Sequence, residues 1–155
     1  NERTAIKKIE GILNKYKRIF DQSWLTMMSM KLNLDTNYNN EEIIKEFLDL
    51  MHIYKLDYTN TFLDLENNTL DKKIFKNWEE KYKNNKIRKF KNVNPQIIPR
   101  NHIIEEIINE VYSNNYGQLY EFEKLLKNPY GKIENKKYIN PPLESEKVFE
   151  TFCGT

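Results

Sequence analysis

Few residues in this chain combine the types and the spacing that chemistry needs, and each candidate has a structural reading beside the chemical one. His102 and Glu106, in "HIIEE", stand four apart, so a helix would set them on one face, as a metal site requires. The zinc-protease arrangement also needs a second histidine at helical spacing. The other histidine, His52, falls in a different helical stretch, so the pair is expected to be structural, with a metal hydrolase as the third-ranked function. "KYKNNKIRKFK" (81–91) carries six basic residues and the aromatics Tyr82 and Phe90, a mixture that can follow phosphates and stack bases. Its plainer reading is a solvated lysine face whose aromatics turn inward.

Arg100, Asn101 and His102 open a helical pattern. Helix starts attract anions, and an arginine adds a planar fork for carboxylate or phosphate. The same fork can instead bridge the connector to an acidic group on another helix. Pro95 and Pro99 fix the approach of Arg100, which suits an anchor paired with an acid such as Asp57 or with backbone carbonyls. Cys153 is the single cysteine, third from the last residue. It excludes an internal disulfide and a cysteine-rich zinc site, and leaves a small packing group or a redox group whose partner lies elsewhere. Gly11, Gly117, Gly131 and Gly154 are scattered, so no phosphate-cradling loop can be drawn, and no Ser-His-Asp or Cys-His set stands out.

The elements that position these residues are helical. Ile6, Ile9, Leu13, Tyr16, Phe20, Trp24 and Met27 recur at three and four, which predicts one apolar face on a helix over 4–30. Asn40 is placed to cap a second helix running to about Tyr54, with Ile43, Phe47 and Leu50 inward. Asp57 or Thr59 caps a short third helix over 56–67. Asp71 opens a fourth, with Ile74, Phe75, Trp78 and Tyr82 inward, fraying near 88–91. "NVNPQIIPRN" (92–101) is a connector. A fifth helix over 100–113 is expected to bury Ile103, Ile104, Ile107, Ile108 and Val111, and a sixth carries Leu119, Phe122, Leu125 and Leu126. The fold class is all-α, about six helices in an irregular bundle over 1–128, followed by an extended, proline-containing tail over 129–155.

Composition agrees with a globular domain: 155 residues, 39% hydrophobic, with 25 basic against 23 acidic side chains. A net charge of +2 gives little field to draw nucleic acid or a membrane, so neither is expected as a partner. With no apolar run of membrane length and a lone cysteine, the expected place is the cytoplasm. A chain opening at Asn1 directly into a helical pattern is expected to be a piece of a longer protein.

Several stretches, taken in order, resemble the selenoprotein O (YdiU) family: "SWLTMMSMKLNL" (23–34), "DYTNTF" (57–62), "NWEEKY" (77–82), "VNPQIIPRNHIIEEII" (93–108), "LLKNPY" (125–130), the prolines 141–142, and "TFCGT" (151–155). One departure is Asn33, where the family pattern has glycine. The resemblance implies a protein-kinase-like fold that binds ATP with magnesium and transfers AMP to hydroxyls of protein substrates. It implies further that the nucleotide and metal residues lie in a larger N-terminal region, and that this chain is the C-terminal helical part, inactive alone, with that region as its partner. No catalytic, cofactor-binding or metal residue carries over. Cys153 aligns with the selenocysteine or cysteine near the family's terminus, which makes it the redox candidate. Asp57, Arg100, Asn101 and His102 are the structural or interface candidates. The rival reading is an independent helical interaction or RNA-binding module.

Overall fold

The computed structural model describes residues 2–87 and 92–147. Those residues form six α-helices, α1 Glu2–Lys31, α2 Glu41–Ile53, α3 Tyr58–Asn67, α4 Lys72–Tyr82, α5 Asn101–Tyr112 and α6 Gly117–Leu126, then two single 3₁₀ turns, Lys136–Tyr138 and Glu144–Glu146. Among the described residues the one extended pairing is an isolated antiparallel bridge between Leu34 and Lys86, so the all-α expectation is met. No helix among them is long and apolar enough to cross a membrane.

The chain folds into two compact units that interleave in sequence. One takes in the described residues of 1–54 and 70–91, the other those of 55–69 and 92–155.

In the first unit, α2 and α4 pack against each other, and the end of α1 meets α2. Phe47 sits between Phe75 and Trp78, at ring-centre distances of 5.3 and 4.7 Å, and Trp78 stacks on Tyr82 at 4.6 Å. Both polar handles of that stack are used. Trp78 Nε1 donates to the Ile43 carbonyl (2.8 Å) and Tyr82 Oη to the Leu32 carbonyl (2.8 Å), so α4 is pinned to α2 and to the end of α1. The Trp-x-x-x-Tyr spacing is therefore a clamp on three helices.

Two expectations change in this unit. The α1 helix forms, but the face running from Ile6 to Met27 is exposed; the buried positions are Met28, Ser29 and Leu32 at its C-terminal end. Periodicity marks which face is apolar and is silent on whether anything covers it. Asn40 does stand at the start of α2, yet its side chain makes no cap. It is buried, and Nδ2 donates instead to Ser29 Oγ (3.0 Å) and the Asp35 carbonyl (2.8 Å), locking the α1–α2 turn, while Asn39 accepts from the Glu41 amide (3.0 Å). The fraying expected near 88–91 lies outside the described residues.

In the second unit, α5 packs on α6 around Ile97, Ile103, Ile107, Phe122 and Tyr138. Ile97 comes from the proline-punctuated connector, whose Gln96 amide donates to the Pro129 carbonyl (2.7 Å). Of the apolar residues expected inside α5, Ile103 and Ile107 are buried, Ile104 and Val111 are half-buried, and Ile108 is exposed. One α-helical face is too narrow to bury five of twelve positions against a single neighbour. Residues 129–147 are irregular, but they are not all peripheral: Tyr138 is 1% exposed and stacks on Phe122 at 5.5 Å.

Candidate functional site

The second unit gathers four of the sequence-selected residues where α3, α5 and the segment after α6 meet. Asp57 caps α3, its Oδ1 accepting from the Asn60 amide at 2.9 Å. The same carboxylate takes the fork of Arg100, with Nη1 to Oδ2 and Nη2 to Oδ1 both at 2.8 Å. Arg100 Nη2 also reaches Asn60 Oδ1 (3.3 Å) and the Ile139 carbonyl (3.1 Å). Arg100 is 8% exposed, so the pair is shielded enough to act as a bidentate clamp and not as a surface ion pair. Burial alone would push the Asp57 carboxyl up. The Arg100 hydrogen bond and charge and the Asn60 amide outweigh it and hold the group below its ordinary value.

This geometry assigns the guanidinium to the protein itself. Its fork is filled by an acid, an amide oxygen and a carbonyl, and it ties the "DYTNTF" block to the "PRN" block and to Ile139. The arginine is the residue before α5 and makes no side-chain cap there. Asn101 is the exposed first residue of α5.

His102 is half-buried and lines a small cavity of about 240 Å³, together with Ile103, Glu106, Lys137, Asn140 and Leu143. Glu106 does share that wall, as the spacing predicts, but its carboxylate is paired with Lys137. Among the described residues no three His, Cys, Asp or Glu side chains come together in a way that could hold a metal ion, and His52 is exposed on α2. Among the described residues the metal-hydrolase reading therefore lacks its ligand set.

The basic stretch is only partly described. Lys81 pairs with Glu46, Tyr82 is buried under its bond to Leu32, and Lys86 Nζ lies 5.8 Å from the Tyr82 ring centre. Tyr82 is therefore not available as a base-stacking platform. Phe90 and Cys153 lie outside the described residues.

Sequence reasoning missed Tyr138 and Glu121. Tyr138 donates to Glu121 Oε2 at 2.9 Å, and its phenol is pushed up to about 12, first by burial and then by the bond to Glu121 and the negative charge of Glu121 and Glu106. No periodicity surrounds Tyr138, because a single 3₁₀ turn carries it; an aromatic between Pro129 and the Pro141–Pro142 pair was the only available signal.

A sequence model of the family described as "Protein adenylyltransferase SelO" matches residues 4–81. The chain is 32% identical, over 174 aligned positions, to a protein nucleotidyltransferase YdiU of Bacillus cereus (strain AH820), and equally so to one of Bacillus thuringiensis (strain Al Hakam). A second Bacillus cereus relative (strain AH187) is 33% identical. Each alignment covers 100% of this chain and 36% of the relative, so the chain spans about a third of the length of the proteins it matches. With the family's model running from α1 to α4 and its nucleotidyltransferases aligning along the whole length, the chain belongs to the protein adenylyltransferase SelO family.

Proposed function

We propose that this chain is the C-terminal helical part of a protein adenylyltransferase, which moves AMP from ATP to protein hydroxyls, and that its own work is to brace the catalytic region. The observation that carries the reading is the Arg100–Asp57 clamp. The residues that most invite a catalytic role are spent on joining two of the family's motif blocks to each other. The YdiU nucleotidyltransferases that align with the whole chain supply the reaction class, and their greater length leaves room for the ATP and magnesium site elsewhere. The kinase-like region is then the partner, and protein substrates are met through it.

Cys153 fits this reading as a redox group. It sits in "TFCGT", the stretch that resembles the family's terminus. Its disulfide with an upstream cysteine would release two protons and give two electrons to the oxidant. The thiolate is the reactive form of such a group.

The test uses the family-length protein, with ATP labelled at the α-phosphate, magnesium and a protein mixture. Label transfer by the family-length protein, absent with this chain alone, supports the reading; label transfer by this chain alone, or by neither, overturns it. Non-reducing mass mapping with and without oxidant tests the cysteine. A free Cys153 thiol under oxidation, with the redox response of activity unchanged in Cys153→Ser, removes the switch and leaves the brace.

A further inference from the structure

The largest unused feature is the N-terminal two thirds of α1. Every residue from Ala5 to Trp24 is exposed, although one face carries Ile6, Ile9, Leu13, Tyr16, Phe20 and Trp24. Leu13 is 61% and Tyr16 66% exposed, and Tyr16 and Phe20 line up with ring centres 6.5 Å apart. At about 1.5 Å per residue the stripe is some 27 Å long. An apolar strip of that extent marks an interaction surface on a soluble protein. A helix with no tertiary cover over this length is also marginal by itself, and Gly11 within it lowers its helical preference further. Only its end, at Met28, Ser29 and Leu32, is seated in the first unit.

Two observations choose the occupant. The family match begins at residue 4, so α1 is a family element and not an appended helix, and about two thirds of each aligned relative lies outside this chain. The charge on α1 is one-sided: its sequence holds seven basic residues against the acids Glu2, Glu10 and Asp21. A second copy would bring one basic helix against another, whereas an acidic-rimmed groove would complement it.

We propose that the α1 stripe is the seat of the region of the family-length protein that lies outside this chain, an apolar groove edged with acidic side chains receiving Ile6 to Trp24. This rests on the reading that the chain is part of a longer adenylyltransferase, and it names the surface through which the brace acts. The contact would also supply the cover that turns α1 from a marginal helix into a rigid strut.

Hydrogen exchange read by mass spectrometry on the family-length protein and on this chain tests it. Amides of 6–24 should exchange about 100-fold more slowly in the longer protein, unchanged on dilution and without lipid. Equal exchange in the two overturns the proposal. So does protection that grows with the concentration of this chain (a second copy), or that appears only with phosphatidylserine vesicles (a membrane surface). As a second readout, Leu13→Glu with Phe20→Glu should lower the melting temperature of the longer protein and leave that of this chain unchanged; an equal response in both overturns it. AMP transfer is followed in the same preparations. Transfer with unprotected α1 sinks this inference alone, and protected α1 without transfer sinks the adenylyltransferase reading alone.

Discussion

Arg100 and Asp57 show how two residues 43 positions apart become one device. The clamp needs a planar fork, which lysine does not have. Arg100→Lys should therefore lower stability by about 1–3 kcal/mol, read as a shift in the denaturant midpoint at constant slope. The pH dependence has a definite sign. The Asp57 carboxyl is held below its ordinary value in the fold, so its contribution is present above the unfolded pKa of about 4 and is lost as pH falls through the lower folded value. Asp57→Asn should remove that part of the acid sensitivity, and a titration curve of stability parallel to the parent's would count against the clamp. Asn33 makes a second residue-scale point. Its φ of 56° lies in the left-handed region, which explains why a glycine pattern tolerates asparagine there. The asparagine adds what glycine cannot, a bond from Nδ2 to the Ile87 carbonyl at 2.7 Å. The clamp was half legible in the sequence, because two prolines within the connector, Pro95 and Pro99, announce a fixed arginine; the partner's second task as the α3 cap was readable only as a separate cap.

At the scale of the element, helix ends rely on asparagine. α1, α3 and α5 are each followed by an asparagine with positive φ: Asn33, Asn68 and Asn114. The following amides reach back to close the last turn: Leu34 to the Ser29 carbonyl (2.8 Å), Thr69 to Asp64 (2.7 Å) and Asn115 to Glu110 (2.9 Å). A chain with four glycines uses asparagine for this job. Asn114→Val should destabilise by about 1–2 kcal/mol through backbone strain, while Asn114→Gly should be near neutral, both checked by thermal melts. The segment after α6 depends on one aromatic. The Tyr138 phenol is raised from its ordinary value to about 12, so stability is whole below about pH 10 and declines as pH rises through about 12. Tyr82, raised by burial in the first unit, acts in the same direction. Tyr138→Phe should flatten its share of the alkaline loss, measured as the denaturant midpoint across that range. The six helices themselves were legible because each carries a period near 3.6, and α3 and α4 also open on an aspartate cap. The order after Pro129 was not, since a 3₁₀ turn of three residues has no period to read.

For the whole molecule, the decisive fact is that a family of nucleotidyltransferases aligns with this chain over about a third of its members' length. This chain alone is expected to give no AMP transfer; radiolabel on any protein above a blank would show otherwise. The family was legible because several weak motifs keep their order. What those motifs do was not, because Tyr82 could be read as stacking a base or as turned inward until its hydroxyl is seen bonded to the Leu32 carbonyl.

The interleaving of the two units bears on how the chain is made and cut. The first unit is interrupted by 55–69 and the second by 70–91, so the chain crosses between them three times. During synthesis the first unit cannot close until α4 has emerged, by which time α3 is already waiting for Arg100. Contacts of such long sequence separation slow folding and expose unfinished apolar surface to aggregation. No single truncation frees either unit whole: a break between 54 and 55 strands α4 from α2, and one after residue 91 takes α3 from the Arg100 that holds it.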